Sequence, residues 1–233
     1  FDHPESPQST LNKVDPARGM LNEYKRNLLL QISLLILTAG ATLTVILTVR
    51  QVLTIPGIVY LGLALLGYFF SAAPPLRLDR TGYGDLVEGI VTVNLVPAFA
   101  MSLQGIDVPF LLLQLSLPLL LVFLAARIAF SFRQYGLDSM YDRKSLVTQI
   151  GWQNAVILHN LLILGAFVLI GVLLLAGLSW SLSWPMLLAL PLGAWQIWQM
   201  MRIAEGAKPG WKIFLWMAMG LFLVMVYLVL VAL

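Results

Sequence analysis

The sequence predicts an all-α transmembrane helical bundle, and three observations carry that reading. The chain is 60% hydrophobic, with a mean hydropathy of +0.89. Charged residues fill only 11% of its 233 positions, against about a quarter in soluble domains. Those charges gather in the gaps between seven apolar segments, each close to the ~20 residues a helix needs to cross hydrocarbon.

Taken in order, residues 1–27 are polar and carry three prolines, which predicts a cytoplasmic loop and the start of a helix. Phe1 stands where a starting Met is expected, and no leader pattern opens the chain, so the sequence reads as beginning partway through a longer one. The seven spans are predicted at about 28–49, 54–73, 86–104, 108–130, 152–177, 182–201 and 211–232. Pro97, Pro118 and Pro191 fall inside spans, where membrane helices accept proline, often as a kink. The whole of 1–233 reads as one membrane domain, with cytoplasmic loops near 74–85 and 131–151.

Orientation follows from the bases. Of the 14 Lys and Arg residues, all but Arg50 fall in one set of loops, which the positive-inside rule assigns to the cytoplasm. Of the 11 acids, all but Asp107 fall on that same side. Orientation needs only the bases, so an acid-rich cytoplasmic face asks for a second explanation. The expected setting is a multi-pass protein of a cell membrane, the bacterial inner membrane by preference.

Composition also excludes. A net charge of +3 is too small to point to nucleic acid. With no cysteine there is no disulfide and no thiolate metal site, and two histidines do not make a His-rich one. Any metal must be held by oxygen, which favours Mg²⁺ or a similar hard cation.

The chemistry concentrates in residues 127–151. Asp138 and Asp142 lie four apart, on one face of a helix, with Arg127, Arg133, Arg143 and Lys144 around them. Two readings fit this pattern. The pair holds a divalent cation against an anionic substrate, or it belongs to an ordinary charged loop, each acid bridged to a neighbouring base.

Two stretches resemble the UbiA-type intramembrane prenyltransferases. Residues 68–89, YFFSAAPPLRLDRTGYGDLVEG, are similar to that family's Pro-Pro-Leu-Arg-Leu loop followed by Gly-x-Gly-Asp/Glu. Residues 138–151, DSMYDRKSLVTQIG, resemble its second aspartate motif, and Phe1-Asp2 resembles the tail of its first. The resemblance implies a nine-helix fold in which this chain supplies helices 3–9. It further implies Mg²⁺-dependent joining of a polyprenyl diphosphate to an aromatic acceptor, in quinone or tetrapyrrole-lipid biosynthesis. Asp2, Asp138 and Asp142 are then metal ligands, and Asp138, Asp142 and Arg77 catalytic. Arg80, Arg143 and Lys144 join the substrate-binding set as cationic donors to phosphate oxygens. Tyr68, Phe70 and Asn94 complete that set, the aromatic faces at 68–70 stabilising an allylic cation.

The sequence also departs from the family's pattern. Asp142-Arg143-Lys144 runs straight into Ser145-Leu146, where relatives carry about four more residues, and Phe70 stands where a Tyr is usual. These departures support an alternative: a non-catalytic, UbiA-like structural or pigment- or lipid-binding subunit with partners in a membrane complex. Of the remaining polar residues, Asn154, His159 and Asn160 are expected in interhelical hydrogen bonds, and Glu88 and Asn94 suit packing or function equally. Six tryptophans near span ends, Trp180, Trp184, Trp195, Trp198, Trp211 and Trp216, predict an interfacial belt.

Overall fold

The computed structural model describes residues 16–73, 78, 82–105, 110–140 and 145–232, and within 16–23, 72 and 137–140 the backbone alone. The described residues are helical with no strand, as an apolar solvent demands: in lipid each backbone N–H and C=O must be satisfied within the segment. The helices are α1 (Pro16–Val49), α2 (Ile55–Ala72), α3 (Gly84–Leu103), α4 (Phe110–Met140), α5 (Leu146–Ile150), α6 (Trp152–Leu175), α7 (Trp180–Leu187), α8 (Leu190–Ala204) and α9 (Trp211–Ala232). They form two compact units, Phe1–Leu53 and Thr54–Leu233.

In the first unit, α1 settles its threonine hydroxyls internally. Thr38, Thr42, Thr44 and Thr48 each donate to a carbonyl three or four residues back, at 2.8–2.9 Å. A threonine bonded this way enters hydrocarbon without an orphan hydroxyl.

Five helices are long and apolar enough to cross a membrane: Tyr24–Val49 within α1, α3, Phe110–Gly136 within α4, α6 and α9. The other two expected spans are helical but different in form. Helix α2 has 18 residues, a rise of about 27 Å, slightly short of the ~30 Å core. The segment expected at 182–201 is two helices, because Pro191 has no N–H for the Leu187 carbonyl and its ring collides with that group. The chain turns at Leu188 and Ala189 instead, bonding back to Pro185 and Met186, and resumes as α8.

Proline acts differently in α3. Residues Ile90–Leu95, just before Pro97, widen into a π-helix, and the Val96 N–H bonds the Val91 carbonyl five residues back. The extra residue in the turn accommodates the proline ring and leaves the helix continuous.

Helix α4 is the centre of the second unit. Its Leu115, Leu119, Val122 and Phe123 pack with Ile163, Ala166 and Ile170 of α6 and with Leu221, Met225 and Val229 of α9. Nearer its end, Ala126, Ala129 and Phe132 meet Val147, Ala155, Met200, Phe214 and Ala218. Lipid is as apolar as leucine, so this contact is held by close packing of small against large residues rather than by escape from water. Gly193 makes the point: a Cβ there would lie 2.5 Å from the Phe167 ring, so α8 approaches α6 only because that position has no side chain.

Candidate functional site

The best-defined polar site sits where α3 begins, beside the middle of α4. Arg127 lies inside an apolar span and must find counter-charge there. It finds two. Its Nη2 is 2.7 Å from Asp85 Oδ1 and 2.9 Å from Glu88 Oε2, and its Nε donates to Asp85 Oδ1 at 2.9 Å. Asp85 and Glu88 are three apart, so both reach one side of α3 and close around a single guanidinium. Asp85 also occupies the first turn of α3, where the helix dipole favours an anion.

A second contact joins two loops that are distant in sequence. Gly82, buried and with φ +77°, approaches α5 so closely that a Cβ would lie 3.0 Å from Leu146 Cα and 3.1 Å from its N. Helix α5 is rigid at that point. Ser145 caps it by accepting from the Thr148 N–H, while Thr148 Oγ1 accepts from the Ser145 N–H in return. The Gly-Tyr-Gly-Asp loop therefore rests on the segment that follows Asp142. Gly82→Ala adds a Cβ against backbone and imposes a left-handed conformation on it, with an expected cost of about 1–2 kcal/mol. A lowered unfolding temperature in detergent checks this; Gly84→Ala, at a helical position, is the comparison.

The other expected site residues are distributed as follows. Asp138 falls in the last turn of α4, where the backbone alone is described. Asp2, Arg77, Arg80, Asp142, Arg143 and Lys144 lie outside the described residues. Among the described side chains, no three His, Asp or Glu come together in a metal-binding group. Tyr68 and Phe70 are exposed near the end of α2, on either side of Phe69, whose ring meets that of Phe70 edge-on at 5.7 Å. Gly67, one position earlier, packs on Val87 and Val91, which puts the aromatic run alongside the first turns of α3 and near Asp85.

Asn94 is not brought to that cluster. It lies nine residues further along α3, roughly 13 Å at helical rise, in the π-helical segment. There it lines an apolar cavity of about 520 Å³ with Tyr60, Ala98, Phe110 and Ser116. Its Oδ1 is buried without a hydrogen-bond partner.

Sequence reasoning placed Arg127 among the loop bases around Asp138 and Asp142, and the structure assigns it to Asp85 and Glu88 instead. The signal was an arginine within an apolar run, with two acids at helical spacing elsewhere. The polar residues of α6 also differ from expectation, because their bonds are local. Asn154 donates to the Ile150 carbonyl at 2.8 Å, and His159 Nδ1 lies 3.1 Å from Asn160 Oδ1. His159 is fully buried between the rings of Phe132 and Phe214, its Nε2 without a partner. Trp211, half-buried at the start of α9, makes edge-on ring contacts with Trp152 and Phe214.

The chain matches no protein-family model, no curated protein and no solved structure.

Proposed function

We propose that the protein is an intramembrane prenyltransferase of the UbiA type, joining a polyprenyl diphosphate to an aromatic acceptor. The observation that carries the reading is the packing of Gly82 on Leu146. It places the Gly-Tyr-Gly-Asp loop beside the segment following Asp142, at one end of the bundle, which such chemistry requires of the two stretches. In this reading α2 and the α7–α8 pair also cross the membrane, giving seven spans and a cytoplasmic site.

The donor set is oxygen only, and carboxylates four apart suit a hard cation, so Asp138 and Asp142 would hold Mg²⁺ together with Asp2. Bound Mg²⁺ supplies neutralisation of the charge that grows on the leaving diphosphate. The chain's own residues do the rest. Arg77, Arg80, Arg143 and Lys144 donate to the phosphate oxygens and orient them. Tyr68 and Phe70 present ring faces to the allylic carbon as its bond to oxygen breaks. The ion pairs of Arg127 fix the start of α3, and with it the loop carrying Gly82.

The second reading, a non-catalytic subunit of a membrane complex, is favoured by the brevity of the connection holding Asp142. Helix α4 ends at Met140 and the cap of α5 is already Ser145. Assay separates the two. The protein in vesicles is supplied with geranylgeranyl diphosphate, Mg²⁺ and a panel of hydroxybenzoate, naphthoate and chlorophyllide acceptors. Prenylated product that requires Mg²⁺ is the expected result. Neither product nor Mg²⁺-dependent diphosphate binding would leave the subunit reading standing.

A further inference from the structure

A separate cavity of about 250 Å³ opens at the loop between α8 and α9, lined by Trp198, Gln199, Arg202, Lys208 and Phe214 among others. It lies at the same end of the second unit as Gly82, because α3 and α6 run away from that end while α4 and α8 return to it. It is nonetheless a different place. The ring contacts Phe132–Trp152, Tyr135–Trp152, Trp152–Trp211 and Trp211–Phe214 form an aromatic wall between the end of α4 and this pocket.

Three features point to one kind of ligand. Arg202 and Lys208 form no ion pair with any described acid, although exposed Glu205 lies three residues from Arg202. The Arg202 guanidinium carbon sits 5.1 Å from the centre of the Trp198 ring, a cation–π contact between two residues that line the pocket. Gln199 Oε1 is buried and without a hydrogen-bond partner. Two cations ask for an anion, and one orphan acceptor asks for a hydroxyl or amine donor beside it.

We infer that this pocket binds the head group of an anionic phospholipid, with the phosphate on Arg202 and Lys208 and a glycerol hydroxyl donating to Gln199. The surroundings favour lipid over free phosphate as the source. The pocket lies at a helix end with Trp198 exposed beside it, and tryptophan is enriched at the head-group layer. Basic pockets between spans at that depth are recognised by phosphate-bearing lipids. This inference stands independently of the transferase reading.

The test uses the intact protein in phosphatidylcholine vesicles with graded phosphatidylglycerol, reading retained lipid by native mass spectrometry. A parallel arm adds inorganic phosphate without phosphatidylglycerol. Arg202→Gln with Lys208→Gln is compared with Lys212→Gln, which removes a base from the start of α9 that does not line the pocket. All three side chains are exposed, and unfolding in lipid-free detergent verifies that the variants remain folded. The expected result is selective retention of phosphatidylglycerol, reduced roughly tenfold or more in the double variant and little changed in Lys212→Gln. Equal loss in both variants would reduce the effect to diffuse surface charge and overturn the site. Phosphate binding with no preference for phosphatidylglycerol would overturn the lipid as its occupant.

Discussion

If the protein is the transferase proposed above, replacing Asp138 or Asp142 by alanine is expected to lower Mg²⁺-dependent prenyl transfer by ~100-fold or more. Changes one shell away from a metal already cost 10–100-fold, and a ligand itself does not fall below that. Two features of the chain sharpen the expectation. Asp138 lies in the last turn of α4, where unpaired carbonyls and the negative end of the helix dipole add to the attraction for a cation. Of the two bases on α4, Arg127 is committed to Asp85 and Glu88 rather than to these acids, which leaves Arg133 as the one nearer to Asp138. Asp138→Asn and Asp142→Asn belong in the same experiment, because they keep shape while removing charge. Diphosphate affinity measured with and without Mg²⁺ then isolates binding from turnover. A wild-type rate in either alanine variant would end the case for a metal-holding pair.

Much of the fold was legible because lipid leaves a simple signal: a helix must be apolar throughout its length. That is why all seven apolar segments are helical. What each proline does was not legible. Pro97 is absorbed by a π-turn, Pro118 sits inside an unbroken α4, and Pro191 divides α7 from α8. The outcome depends on which neighbouring group takes over the freed carbonyl, and on how tightly the next helix packs. Nothing within one segment contains that information.

The site was legible by residue type but not by partner. Asp85, Glu88 and Arg127 are each conspicuous, yet the bond from Arg127 to Asp85 spans 42 positions of sequence. Pairing across helices is set by their relative rotation and height, which small residues such as Gly89 decide. A Cβ at Gly89 would stand 2.8 Å from Leu120 Cδ1, so the bare glycine lets α3 lie close against α4 here. The orphan Oδ1 of Asn94 was equally invisible, since an intramembrane asparagine normally finds a partner on a neighbouring helix.

Arg127→Leu is expected to cost about 3 kcal/mol of stability. Removing one partner from an enclosed ion pair costs ~3–5 kcal/mol, because the remaining charge keeps its desolvation without its compensation. Here the side chains are 20–38% exposed, which brings the expectation to the lower end. The variant leaves two carboxylates facing each other at one end of the bundle without their counter-charge. The companion variants decide the cause. Arg127→Lys retains the charge but cannot set two nitrogens on Asp85 Oδ1 while reaching Glu88, and should fall between wild type and leucine. Arg127→Leu combined with Asp85→Asn and Glu88→Gln removes every charge, and should recover most of the loss. Unfolding followed in a lipid bilayer provides the measurement. If the triple variant is less stable than Arg127→Leu alone, the loss reflects packing of the arginine stem against α3 rather than stranded charge. If it recovers while the transfer activity proposed above does not, the three residues act by positioning the Gly82 loop on α5, and their geometry matters more than their contribution to folding.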